Sequence, residues 1–110
     1  MSQIKIAVDR PKSEHEIQAE AVALLKEALG SAYIVRAEYT YRDCRFDIAI
    51  FRADDREMVC TIEVKKRGGV NKHHKQTNRY HRATGRPCVL LTEATMRGAI
   101  GALKTRLASA

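Results

Sequence analysis

The sequence predicts an α/β domain in which a central mixed sheet is flanked by helices, with the elements in the order αβββαβα. Three observations carry that reading. Apolar residues near the N-terminus (Ile17, Ala21, Leu24, Leu25 and Ala28) recur at helical spacing, so one stripe of a helix faces a core. Three runs rich in β-branched and aromatic residues then follow closely and read as strands. A fourth short apolar run, CVLLT, comes after an intervening stretch with helix start and stop signals.

Each element has its own local justification. Ser13 is a good N-cap, and Glu16 three residues later completes a capping box; Gly30 is the expected stop of this first helix. The first strand spans Ala32–Tyr41, and FDIAIF (Phe46–Phe51) and MVCTIEVK (Met58–Lys65) follow. ADDRE between the last two has the chemistry of a turn, which makes them a hairpin. A turn centred on Asp55 pairs Phe51 with Val59, Ile50 with Cys60, Ala49 with Thr61, Ile48 with Ile62 and Asp47 with Glu63. Gly68 and Gly69 break the pattern, Asn71 caps a second helix reaching Thr84, and Gly85 closes it. Pro87 opens the fourth strand. Thr92 begins a last helix whose Met96, Ile100, Leu103 and Leu107 share a face, although Gly98 and Gly101 weaken it by about 1 kcal/mol each relative to alanine.

The 110 residues are expected to form one domain, 1–110, and a hydrophobic fraction of 45% is ordinary for a folded chain. No apolar run approaches the roughly 20 residues that cross a bilayer, and the N-terminal MSQIKIAVDRPKSE has no apolar leader core. A cytoplasmic protein without membrane contact is expected. Cys44, Cys60 and Cys88 are odd in number and widely spaced, which fits neither a disulfide framework nor a metal clip; Cys60 and Cys88 read as buried free thiols.

Charge is unevenly placed along the chain. The net charge is +7, yet 12 of the 13 acids lie at or before Glu63. From Val64 to Thr92 there is no acid, while Lys65, Lys66, Arg67, Lys72, Lys75, Arg79, Arg82 and Arg86 are all cationic. A field of that sign attracts a polyanion, whereas ordinary soluble surfaces mix both signs. Lys72, Lys75, Arg79, Arg82 and Arg86 step by three or four and would line one side of the second helix, where cations give salt-sensitive phosphate contacts. Gln76, Tyr80 and Ala83 form an adjacent line that faces the hairpin.

The hairpin holds the chemistry. Its register leaves one face apolar and puts Asp47, Glu63 and Lys65 on the other, with opposed Cβ atoms about 5 Å apart. Two carboxylates at that distance repel unless a cation lies between them. Magnesium suits such a pair because it takes one or two carboxylates and leaves other positions to water and phosphate. The competing reading is a solvated charged face. Asp43 is an alternative to Asp47, but it precedes the strand and fits the register worse.

RFD (Arg45–Asp47) followed by IEVKK (Ile62–Lys66), after a helix bearing glutamates, resembles the PD-(D/E)xK nuclease superfamily. The resemblance spans roughly Ser13 to Thr92, and QTNRY, with Gln76 and Tyr80, is similar to the Q-x-x-x-Y motif of RecB-like members. Phe46 stands where the superfamily's name has proline. The resemblance implies a restriction-endonuclease-like αβββαβ core with an extra C-terminal helix, and a metal-dependent deoxyribonuclease in the size class of Holliday-junction-resolvase-like and VRR-Nuc proteins. A junction or a repair or recombination intermediate is among the substrates it implies. Asp47 and Glu63 would bind Mg2+, with Mn2+ able to substitute; Lys65, Glu14 and Gln76 would serve the catalytic site. Glu14 is preferred over Glu20 because it projects from the start of the buried stripe, while Glu16 is used as a cap. Lys66, Arg67, Lys72, Lys75, Arg79, Tyr80, Arg82 and Arg86 would contact DNA, met by a homodimer without a small-molecule cofactor. Two other classes fit the same residues: a non-catalytic nucleic-acid-binding protein on this fold, and a subunit whose basic helix meets an acidic protein. His73, His74 and His81 lack an acid or cysteine spaced to complete a metal site, and Tyr33, Tyr39 and Tyr41 read as sheet residues.

Overall fold

A computed structural model describes residues 12–66 and 79–109. They form an α/β arrangement: helix α1 (Glu14–Leu29), strands β1 (Tyr33–Tyr41), β2 (Cys44–Arg52) and β3 (Met58–Lys65), a helical segment 79–84, strand β4 (Cys88–Thr92) and helix α2 (Met96–Ala108). The strands lie in the order β1-β2-β3-β4, antiparallel except for the parallel β3–β4 pair. The sheet is therefore mixed, and the element order is the expected one.

The capping box at α1 is complete: the Ser13 hydroxyl accepts from the Glu16 amide and the Glu16 carboxylate from the Ser13 amide. Gly30, at φ 66°, ends the helix, and a 3-10 turn (Gly30–Ala32) delays β1 to Tyr33. Gly85, at φ 70°, closes the segment 79–84, its amide donating a hydrogen bond to the His81 carbonyl. The last helix starts at Met96 instead of Thr92, because Thr92 and Thr95 bond each other's amides through their hydroxyls and hold a turn there.

Ile17, Ala21 and Leu25 of α1 pack on Ile48, Ile50, Cys60, Ile62 and Val64 of the sheet, with Leu91 of β4 and Met96, Ile100 and Leu103 of α2. A second buried cluster joins Cys44 and Phe46 to Tyr80. The two clusters divide β2 between Phe46 and Ile48, beside Glu38 on β1. Glu38 has φ 54°, a left-handed residue within a strand, and such a residue kinks its strand and increases the local twist.

The hairpin keeps the expected pairs Ile48↔Ile62, Ala49↔Thr61 and Ile50↔Cys60. Phe51, however, opposes Met58 and not Val59, because an extra residue bulges from β3. Cys44, Cys60 and Cys88 are free thiols; Cys60 is buried and Cys88 only partly so. No described helix is long and apolar enough to cross a membrane.

Candidate active site

The β2–β3 ladder ends at Ile48↔Ile62, one pair short of the acids. There the Asp47 side chain takes over from backbone pairing: its Oδ2 accepts the Val64 amide at 2.8 Å. Glu63 is 4% exposed, flanked on its other side by Leu90 of β4. Among the described residues its Oε2 has no hydrogen-bond partner, and its Oε1 lies 3.7 Å from the Lys65 ammonium. Burial first, and then the Asp47 carboxylate beside it, push the Glu63 carboxyl up from 4.5 to about 8, against the opposing pull of Lys65. Burying a carboxylate with an unpaired oxygen is costly unless a proton or a cation compensates it.

Helix α1 contributes the wall. Glu14 accepts the Lys66 amide through Oε2 at 3.2 Å, which ties the helix start to the end of β3. A cleft of about 210 Å³ lies beside it, lined by Glu14, His15, Gln18, Glu38, Arg45 and Asp47, with Val64 at its base. Glu16 is occupied by the cap and Glu20 pairs with Lys12 at 2.5 Å, so of the three candidate glutamates near the start of the helix it is Glu14 that shares the cleft with Asp47.

The chemistry of this donor set suits a hard divalent cation. Asp47 and Glu63 are adjacent hard oxygens, one of them orphaned, and a bound cation would replace the proton that burial otherwise retains on Glu63. Among the described residues no three His, Cys, Asp or Glu side chains converge as a complete cage. Two carboxylates with water are enough for magnesium.

The cations are arranged differently from the sequence expectation. Arg79 lies 3.7 Å from Asp43, and Arg86 pairs with Glu57 at 2.7 Å, so a stretch free of acids in sequence meets acids in space. Arg82 and Lys66 are exposed. Tyr80, expected among the DNA contacts, is 7% exposed, stacks edge-on against Phe46 at 4.8 Å and donates its hydroxyl to the Arg45 carbonyl at 3.1 Å. Tyr80→Phe is accordingly expected to lower stability by about 1 kcal/mol in a denaturant titration and to leave DNA affinity unchanged. A drop in affinity without a drop in stability would return Tyr80 to the surface role. The His81 Nδ1 is engaged by the Arg86 carbonyl at 2.8 Å. Arg67, Lys72, His73, His74, Lys75 and Gln76 lie outside the described residues.

Gln18, Glu38 and Arg45 at the cleft are not singled out by the sequence pattern. Gln18 lies on the inward stripe next to Ile17, a legible signal; nothing in the composition of β1 announces the turn of backbone at Glu38. Comparison with described protein families finds none that matches this chain. No curated protein matches it, and no solved structure does.

Proposed function

We propose that the chain is a metal-dependent deoxyribonuclease on a restriction-endonuclease-like core, a small member of the PD-(D/E)xK class. The observation that carries this reading is the buried Glu63 carboxyl, orphaned at one oxygen, beside Asp47 and with the Lys65 ammonium 3.7 Å away. A charged lysine serving only solubility would extend into water, but Lys65 is 20% exposed and turned toward an acid. Asp47 and Glu63 would hold Mg2+, which polarises a phosphate and lowers the pKa of bound water. Lys65 contributes a positive charge next to the attacked phosphate, where negative charge develops. Glu14 holds the Lys66 amide, and thereby the strand end that carries Lys65, in place.

The test is incubation with linear, nicked, single-stranded and four-way-junction DNA, with and without magnesium. Magnesium-dependent cleavage that disappears in Asp47→Asn and Lys65→Ala, in variants that still fold, supports the reading. Cleavage equal to wild type in either variant removes that residue from the reaction, and no cleavage of any substrate by the wild type removes the reading itself. Binding in calcium adds a second measurement. Removing one phosphate-binding cation flattens the slope of log affinity against log salt by about 0.9, so Arg79→Ala with Arg82→Ala is expected to flatten it by about 1.8 on duplex DNA. An unchanged slope would place the duplex elsewhere.

A further inference from the structure

Among the described residues three non-glycine positions have positive φ, and Glu38 alone of them lies inside a strand. A left-handed residue there is maintained only where its surroundings hold it, and such residues concentrate at functional sites. Both oxygens of Glu38 are engaged: one by the Arg45 guanidinium, the other by the Gln18 amide at 3.5 Å. Gln18 is itself buried on the inner face of α1, which makes it a rigid support. The backbone of Arg45 is fixed as well, because its carbonyl accepts the Tyr80 hydroxyl.

The Arg45 side chain is 68% exposed, and an exposed ion pair contributes little to stability, so the Glu38–Arg45 pair itself adds little to folding. What this arrangement accomplishes is to hold a guanidinium at the wall of the cleft that Asp47 and Glu14 also line. The remaining ionisable lining consists of acids and His15, so a phosphodiester entering beside Asp47 meets repulsion that Arg45 offsets. A guanidinium presents a planar fork that matches two phosphate oxygens.

We propose that Arg45 is the phosphate-contacting residue of this cleft and that Glu38 is its positioning residue; the proposal rests on the nuclease reading and names how that site holds its substrate. Arg45→Gln is expected to weaken duplex binding in calcium about tenfold and to flatten the salt slope by about 0.9. Glu38→Asn suits the positive φ, since asparagine tolerates it, and is expected to keep the fold with a melting temperature lowered only modestly, by the loss of the long Gln18 contact. Its signature is a fall of about tenfold in kcat with little change in KM, because the cation remains but its aim is gone. An unchanged slope in Arg45→Gln overturns the phosphate contact, and an unchanged kcat in Glu38→Asn overturns the positioning role. A wild type that cleaves nothing, while Arg45→Gln still flattens the slope, sinks the nuclease reading and leaves the phosphate-binding role of Arg45 standing.

Discussion

Glu63→Gln is expected to reduce magnesium-dependent cleavage by at least about 10²-fold while making the metal-free protein more stable above neutral pH. The two effects have one cause. In the fold the carboxyl is raised to about 8 by burial and by Asp47; in the unfolded chain it titrates at 4.5. Below 4.5 both states hold the proton, and Glu63 adds no pH dependence. Between 4.5 and about 8 the folded state keeps a proton that the unfolded state has released, so stability falls as pH rises through that window. Above it both are ionised and the loss is complete. Glutamine cannot ionise, so the variant should lack this slope. Magnesium should restore stability to the wild type at high pH and leave the variant unaffected, because the cation favours the ionised pair. Thermal melts at about pH 5 and about pH 8.5, with and without magnesium, read this directly. Parallel pH curves for the two proteins would show that Glu63 ionises freely in the fold.

Phe46→Ala should be the most damaging single change to the core. The ring is 0% exposed, meets Tyr80 edge-on at 82° and precedes Asp47 in the chain. Truncating a buried phenylalanine costs about 3–5 kcal/mol, from the transfer energy forgone and the cavity left behind. That is a large fraction of the stability of a domain this size. The helical segment 79–84 rests on this ring through Tyr80, so the truncation should also loosen the segment, visible as faster amide exchange at Tyr80 and Ala83. A stability change below about 1 kcal/mol in a denaturant titration would mean that the second cluster collapses onto the gap.

The hairpin register is legible in the sequence because Ile48 and Ile50 alternate against Cys60 and Ile62, and a one-residue slip would turn every one of them outward. The bulge at Phe51 is not, since Val59 and Met58 are equally apolar and either satisfies the pattern. The choice of Glu14 follows from helical spacing, which fixes the side from which a residue projects. Tyr80 is ambiguous in sequence because a tyrosine has both an apolar body and a polar tip, and only the position of Phe46 decides which one matters. The acid-free stretch in sequence is not acid-free in space. Asp43 and Glu57 lie between strands, and their reach toward Arg79 and Arg86 depends on tertiary structure, not on distance along the chain.

The parallel placement of β4 beside β3 has a kinetic consequence. Strands β1, β2 and β3 are sequence neighbours and can form a meander through local contacts, whereas β4 reaches β3 only after the segment 66–87. Its arrival sets Leu90 beside Glu63, so the final surroundings of that carboxyl depend on a pairing between residues far apart in the chain. Pairing of this strand thus ties the surroundings of the carboxyl to the least local contact of the sheet.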